Sequence, residues 1–300
     1  MAKAKVDNGT LWIELDEGGA VGLENGRLTV FAARRHEGKT AFALSLAAAA
    51  NASGRLPVLL VSYDHWCLEN RWFSTIYPLI PPDEAADILY DDEHAMDDVD
   101  VPLRVRDSHG TIEDLRALCL DAFAAPEDGE KPRLIVVDHL QRIGCEEDSN
   151  LHEFATKSMR VLKSLAAELD VPVLLLVNLW RLHHRVDNGL AISRYWKGAA
   201  MPLYRRDDRS PRLSDLPEVV SNGADSVWML ERDLKAPKSE ELDPPDDLVP
   251  QPAKVHVLKR ADGGPPGAFS LKWLPRSASF SFEDSNAEGD YSHRDLRPET

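Results

Sequence analysis

The sequence predicts an α/β fold, a mostly parallel twisted sheet with helices on both faces and antiparallel strands at its C-terminal edge. Three observations predict it. From residue 28 onward, short runs of β-branched residues and Leu alternate with longer segments of helical period, the sequence form of strands joined by crossover helices. A hydrophobic strand runs directly into a turn that ends in Gly38-Lys39-Thr40 and then into an Ala-rich helix. After a long polar stretch, strand-like material returns at 226–230, 254–258 and 268–274 without helices between.

In order, strands are expected at 28–33, 57–63, 103–106, 134–138 and 171–177, and helices at 39–52, 65–76, 111–124 and 151–169. In the last helix Met159, Leu162, Leu165, Ala166 and Leu169 form one apolar stripe, as core packing requires. Residues 179–212 are polar and rich in Arg, Gly and Pro, too long for an ordinary connection. The organisation expected is a short N-terminal segment at 1–27, one large domain at 28–282 and a flexible polar tail at 283–300.

Composition bounds the function. The net charge of -16 argues against a surface that coats nucleic acid generally, so any such contact must be local. The acidic stretches 83–100 and 240–247 lack the spacing of a calcium loop and read as solvated loops. Cys67, Cys119 and Cys145 stand far apart, which suits buried thiols better than a disulfide framework or a zinc site. No run is apolar enough to cross a bilayer and the N-terminus does not read as a secretion signal, so a cytoplasmic location without membrane contact is expected.

The strand Leu28-Thr29-Val30-Phe31-Ala32-Ala33 and the turn Arg34-Arg35-His36-Glu37-Gly38-Lys39-Thr40 have the order that a phosphate site needs. Backbone N–H groups of the turn and the positive end of the helix face the β- and γ-phosphates of ATP, Lys39 adds a mobile cation, and the Thr40 hydroxyl can ligate Mg2+. The nucleotide-binding positions are therefore Ala33, Arg34, Arg35, His36, Glu37, Gly38, Lys39, Thr40 and Ala41. The general pattern has Gly where Ala33 stands. A second strand, Leu134-Ile135-Val136-Val137-Asp138, ends in a carboxylate placed to bind magnesium beside Thr40.

The string L-T-V-F-A-A-R-R-H-E-G-K-T-A-F-A-L-S-L-A resembles the phosphate loop of the C-terminal motor domain of DnaB-type replicative helicases, a branch of the RecA-like P-loop ATPases in which Ala often takes the first glycine's place. Further likenesses follow in the family's order: V-L-L-V-S-Y-D ending at Asp64, I-V-V-D-H-L-Q at 135–141, L-K-S-L-A-A-E-L-D-V-P-V-L-L-L at 162–176, R-L-S-D-L with G-A-D-S-V at 212–227, and the closing strand pair at 257–273. The resemblance spans residues 28 to 282.

That resemblance implies roles. Asp64 takes the place of the glutamate that orients the attacking water, or is a plain strand-end acid, and Asn178 stands where the family commonly has a Gln that senses the γ-phosphate. Lys259 and Arg260 lie where family members carry an arginine finger for a neighbouring subunit's site, in a register that leaves either residue to serve or both in solvent. The stretch 179–212 corresponds to loops that hold single-stranded DNA. Its Arg181, Arg185, Arg194, Lys197, Arg205, Arg206 and Arg209, interleaved with Trp180, Tyr195, Trp196 and Tyr204, suit phosphates and bases, while a surface insertion or protein-docking element is the competing account. The family's N-terminal domain and linker helix have no counterpart in residues 1–27, so a protein partner in their place is an expectation.

The function expected is an ATP-hydrolysing helicase or translocase on single-stranded DNA, working as a ring-shaped homo-oligomer with a hexamer favoured. The alternative is a nucleotide-gated assembly or regulatory protein with weak ATPase activity, to which the Asp at 64 points.

Overall fold

The computed structural model describes residues 3–8, 10–34, 37–54, 56–63, 68–76, 103–107, 110–126, 130–144, 151–179, 210–232 and 250–284. Its elements run β1 (Lys3–Asp7), β2 (Thr10–Glu14), β3 (Ala20–Leu23), β4 (Leu28–Ala33), α1 (Lys39–Gly54), β5 (Val58–Ser62), α2 (Leu68–Ile76), β6 (Leu103–Asp107) and α3 (Ile112–Ala124). They continue with β7 (Leu134–Asp138), α4 (Leu151–Leu169), β8 (Val173–Asn178), α5 (Glu218–Gly223), β9 (Ser226–Arg232), β10 (Gln251–Lys259), β11 (Gly267–Leu274), β12 (Ser279–Ser281) and β13 (Glu283–Asp284). Short 3-10 turns lie at Leu140–Arg142 and Leu213–Asp215.

The main sheet has the strand order β12-β11-β10-β9-β4-β8-β7-β5-β6. Strands β9 to β6 in that order are parallel, and β10, β11 and β12 return antiparallel at one edge. The alternation of each central strand splits its side chains between two cores. Leu28, Val30 and Ala32 of β4 pack with α3, α4 and α5, whereas Phe31 and Ala33 pack with α1. The same division separates Leu59 and Val61 from Val58 and Leu60, and Ile135 and Val137 from Leu134 and Val136. Both faces are covered, which is why these strands read as continuous apolar runs.

Helix α1 is apolar nearly all round up to Ala50 because it is covered there on nearly all sides. One side lies on the main sheet, where Phe42 stacks on Phe31 with ring centroids 3.9 Å apart. The other lies under a second sheet, ordered β13-β1-β2-β3, whose Ala4, Leu11, Ile13, Val21 and Leu23 enter the same core. Phe280 and Phe282 close the gap between them, at 6.2 and 5.9 Å from the Phe42 ring. A surface helix would need a polar face, and α1 up to Ala50 has almost no solvent to turn one toward.

Three strands thus precede residue 28, where the sequence predicts only a short segment. Their signal is present: Leu11 and Ile13 alternate with Trp12 and Glu14, and Gly18 and Gly19, at φ of 90° and 85°, make the reversal between β2 and β3. Asp16 fastens that reversal to the main sheet, its N–H donating to Ala268 O at 2.9 Å and its carboxylate accepting from Ser270 N and Oγ at 3.0 and 2.8 Å. At the other end Glu283 and Asp284, expected in the tail, pair in parallel with Lys3 and Ala4. Strands β9 and β10 also extend past their expected limits, because Arg232 and Lys259 both find partners at the ends of the ladder. Helix α3 starts where expected, with Thr111 and Asp114 forming a reciprocal cap. Among the described residues no helix is long and apolar enough to cross a membrane.

Because Ile13 is fully buried in the core that holds α1, Ile13→Ala should destabilise the whole domain by about 2–5 kcal/mol. Urea unfolding followed by circular dichroism checks this; a local loss that leaves the main transition in place would show the second sheet to be an appendage.

Candidate functional site

Strand β4 lies between β8 and β9, and its C-terminal end opens at the point where the chain order of the strands reverses. In open α/β sheets that is where ligands bind. Ala33 ends the strand opposite Asn178, and the chain then turns through residues 34–38 into α1. Gly38 is required twice over. Its φ is 103°, and a Cβ there would meet Phe280 at 3.1 Å and Trp273 at 3.3 Å. The Gly38 carbonyl accepts from Phe42 N at 2.8 Å as the first bond of the helix, so Lys39 and Thr40 begin α1 with their N–H groups at its positive end.

Glu37 is buried in this turn. Its carboxylate accepts from Arg34 N at 3.0 Å and faces Arg34 Nη1 at 3.3 Å. Burial pushes its pKa up, against the lowering charge of Arg34 and of Arg232. Arg232 ends β9 with its guanidinium 3.9 Å over the Trp273 ring, and burial brings its pKa down to about 10, which leaves it protonated at neutral pH. The turn is thus held from behind by β9, β11 and β12 through Arg232, Trp273 and Phe280. Sequence reasoning does not find these three residues, since the antiparallel return that brings them here leaves no local motif.

Asp138 ends β7 next to Ser62 of β5 and accepts a hydrogen bond from the Thr40 hydroxyl at 2.6 Å. His139 Nδ1 stands 3.4 Å from the other carboxylate oxygen. Burial acts to raise the Asp138 pKa, but the hydrogen bond and charge of His139, the Thr40 hydroxyl and the charge of Lys39 together hold it below the ordinary carboxylate range. A hydroxyl and one ionised carboxylate are hard oxygen donors, and no group of three or more acidic, His or Cys side chains suited to a metal occurs among the described residues. That donor set fits magnesium held jointly with substrate phosphates rather than a cation in an all-protein cage.

Asn178 ends β8, which lies between β4 and β7, on the same side of β4 as Asp138. Leu179 N donates to Ala33 O at 2.8 Å, and the Asn178 backbone is bound by Gln141 on its far side. The structure therefore brings Ala33, Arg34, Glu37, Gly38, Lys39, Thr40, Ala41, Asp138 and Asn178 to one end of the sheet. Arg35, His36 and Asp64 lie outside the described residues, as do Arg181, Arg185, Arg194, Lys197, Arg205, Arg206 and Arg209.

Lys259 and Arg260 are not brought there. Strand β10 runs antiparallel to β9, so Ala253, its first residue paired with β9, lies opposite Arg232, and its end at Lys259 lies opposite Val227, toward the end of the sheet where β4 begins. A bulge between Val257 and Lys259 turns Leu258 toward the core and Lys259 onto the last turn of α5. There Lys259 Nζ donates to the carbonyls of Ser221, Asn222 and Ala224 at 3.1, 3.4 and 2.6 Å, and its desolvation together with the charge of Lys163 lowers its pKa. A cation at a helix C-terminus is a stabilising cap. Arg260 is held by Asp262 through Nε at 2.9 Å and Nη2 at 2.5 Å, and donates to Ala20 O at 3.0 Å. The two residues that the sequence leaves interchangeable thus have different partners.

The folded-state pKa of Asp138 lies below its unfolded value, so its ionised form stabilises the fold above about pH 4, and that contribution is lost as the pH falls through the folded-state pKa. Asp138→Asn should therefore melt below wild type at pH 7 by a margin that holds down to about pH 5 and narrows below about pH 4. Melting curves of both proteins across that range check it; a margin independent of pH would contradict it.

The family model for the DnaB-like helicase C terminal domain matches residues 9–189. Among solved structures, the chain is similar to a DnaB-like replicative helicase described with its interactions with primase, at 22% identity and a TM-score of 0.65, covering 87% of this chain and 60% of that one. It is also similar to a structure described as an ATPase domain, at 22% identity and a TM-score of 0.61, covering 87% of this chain and 86% of that one. The chain thus spans 60% of the length of the replicative helicase it matches. No curated protein matches it. With the family model covering more than half of the sequence, and the same fold in both neighbours, the chain belongs to the DnaB-like helicase C-terminal domain family.

Proposed function

We propose that this protein is an ATP-driven motor that moves along single-stranded DNA as a ring-shaped homo-oligomer, with a hexamer favoured. The observation that carries this reading is the separation of Arg260 from the phosphate site. Lys39, Thr40, Asp138 and Asn178 gather at the C-terminal end of the parallel strands, while the register of β10 directs Arg260 to the other end. A guanidinium there could serve a phosphate only on a second copy, which supports the reading that hydrolysis is coupled to assembly.

Within one site, the turn at 34–38 and the start of α1 bind the phosphates, and Lys39 neutralises their charge. The Thr40 hydroxyl and the Asp138 carboxylate would hold magnesium, which would supply further neutralisation of phosphate charge. Asp64 orients the attacking water and Asn178 contacts the γ-phosphate. The carboxylate of Asp64 is one methylene shorter than that of glutamate, which slows a reaction that depends on positioning. The basic residues between 181 and 209 hold the DNA backbone, with neighbouring aromatics available to bases.

A second reading, a nucleotide-gated assembly protein with slow hydrolysis, is favoured by the two-point hold of Asp262 on Arg260, from which the guanidinium must part before it reaches a phosphate. Steady-state ATP turnover with and without single-stranded DNA separates the two. The motor reading expects stimulation by DNA and loss of turnover in Lys39→Ala; turnover that DNA leaves unchanged and that survives Lys39→Ala overturns it. The DNA contact is tested separately. Replacing Arg205 and Arg206 by Ala should weaken single-strand binding and flatten its dependence on salt by roughly one unit of log-log slope per lost phosphate contact. Equal affinity at several salt concentrations would assign the segment elsewhere.

A further inference from the structure

Strand β8 outruns one of its neighbours. Its ladder with β7 ends where Val137 faces Leu175, yet on the β4 side pairing continues to Ala33 and Asn178. The last stretch of β8 therefore has backbone groups directed toward a strand that has already turned away. After Asp138 the chain makes a 3-10 turn at Leu140–Arg142, anchored by the buried Leu140 and closed by Arg142 N donating to His139 O at 2.9 Å. From that turn Gln141 reaches back. Its Nε2 donates to Asn178 O at 3.2 Å and its Oε1 accepts from Asn178 N at 3.1 Å.

One carboxamide thus does for Asn178 what a residue of β7 would have done, offering a donor and an acceptor in a single plane. The partner groups are backbone, so the orientation of the amide is determined by them. Glutamate could accept from Asn178 N but not donate to Asn178 O, asparagine is one methylene shorter, and an apolar side chain would leave both groups unpaired. On the other flank, Leu179 N donates to Ala33 O at 2.8 Å. The peptide planes around residue 178 are consequently set from both sides, by the phosphate-loop strand and by the turn that follows Asp138.

We propose that Gln141 is a positioning residue for hydrolysis, holding Asn178 at the distance from the phosphate loop that contact with a γ-phosphate requires. It acts through Asn178, not on substrate directly. The inference rests on the reading of Asn178 as the γ-phosphate contact.

The test compares Gln141→Leu, Gln141→Glu, Asn178→Ala and the Gln141→Leu/Asn178→Ala pair in the full chain. ATP is the substrate, and circular dichroism melting is recorded for each protein. Gln141→Leu should lower kcat on the order of tenfold with KM within about threefold of wild type, since the lost alignment matters most in the transition state. Gln141→Glu, which keeps one of the two bonds, should fall between. The pair should be no slower than Asn178→Ala to within about twofold, because a group that acts through Asn178 has nothing left to position.

Wild-type kcat in Gln141→Leu, or penalties that multiply in the pair, overturns the role of Gln141 and leaves the Asn178 reading standing. Wild-type kcat in Asn178→Ala overturns that reading and this inference with it. Should Gln141→Leu fail to fold, Gln141→Glu carries the comparison, and an unchanged kcat there overturns the proposal in the same way.

Discussion

The stacking of Phe42 on Phe31 sets the geometry of everything that follows in the nucleotide site. It locks the first turns of α1 over the last residues of β4, and so sets where Lys39 and Thr40 stand relative to Asp138. Such a face-to-face contact survives only if the rest of the ring's surroundings are equally well filled, because a void beside a core aromatic costs the contacts it removes. Phe280 and Phe282 fill them from the C-terminal strands, and Ser45 ties Phe280 in place by accepting its N–H at 2.8 Å. Residues far apart in the sequence are therefore jointly responsible for the direction in which one lysine and one threonine point.

Much of this was open to inspection in the sequence, for identifiable reasons. Strands β4, β7 and β8 are legible because burial on both faces makes them unbroken apolar runs, and the phosphate loop because its chemistry demands a fixed order of strand, glycine, lysine and hydroxyl. The N-terminal sheet escapes because its strands are only four or five residues long, and a two-residue alternation is weak over so short a span. The hold on Gly38 by Trp273 and Phe280 is invisible for a different reason: it follows from how β11 and β12 fold back, which no local pattern encodes. Gln141 lies inside a string that resembles the family's, yet its partner depends on where β7 stops pairing.

The two ends of the sheet divide the chemistry between them. At one end gather Lys39, Thr40, Asp138 and Asn178. At the other, a bulge in β10 separates two adjacent basic residues, sending Lys259 to the carbonyls of α5 and Arg260 to Asp262 and Ala20. The Ala20 carbonyl belongs to β3, so the second sheet, besides covering α1, helps to set where Arg260 rests. A continuous strand, β10, joins the two ends: it leaves the neighbourhood of Arg232 behind the phosphate loop and arrives at Lys259.

The pairing of β1 with β13 has a consequence for how the protein is made. Lys3 leaves the ribosome long before its partner Glu283, with nearly all of the described elements between them. The cover over α1 cannot be completed while those elements are still being added, because Phe280, Phe282 and β13 come last. Closure across so long a separation is slow, and chains with exposed apolar surface associate with one another in the interval. The net charge of -16 opposes that association by mutual repulsion.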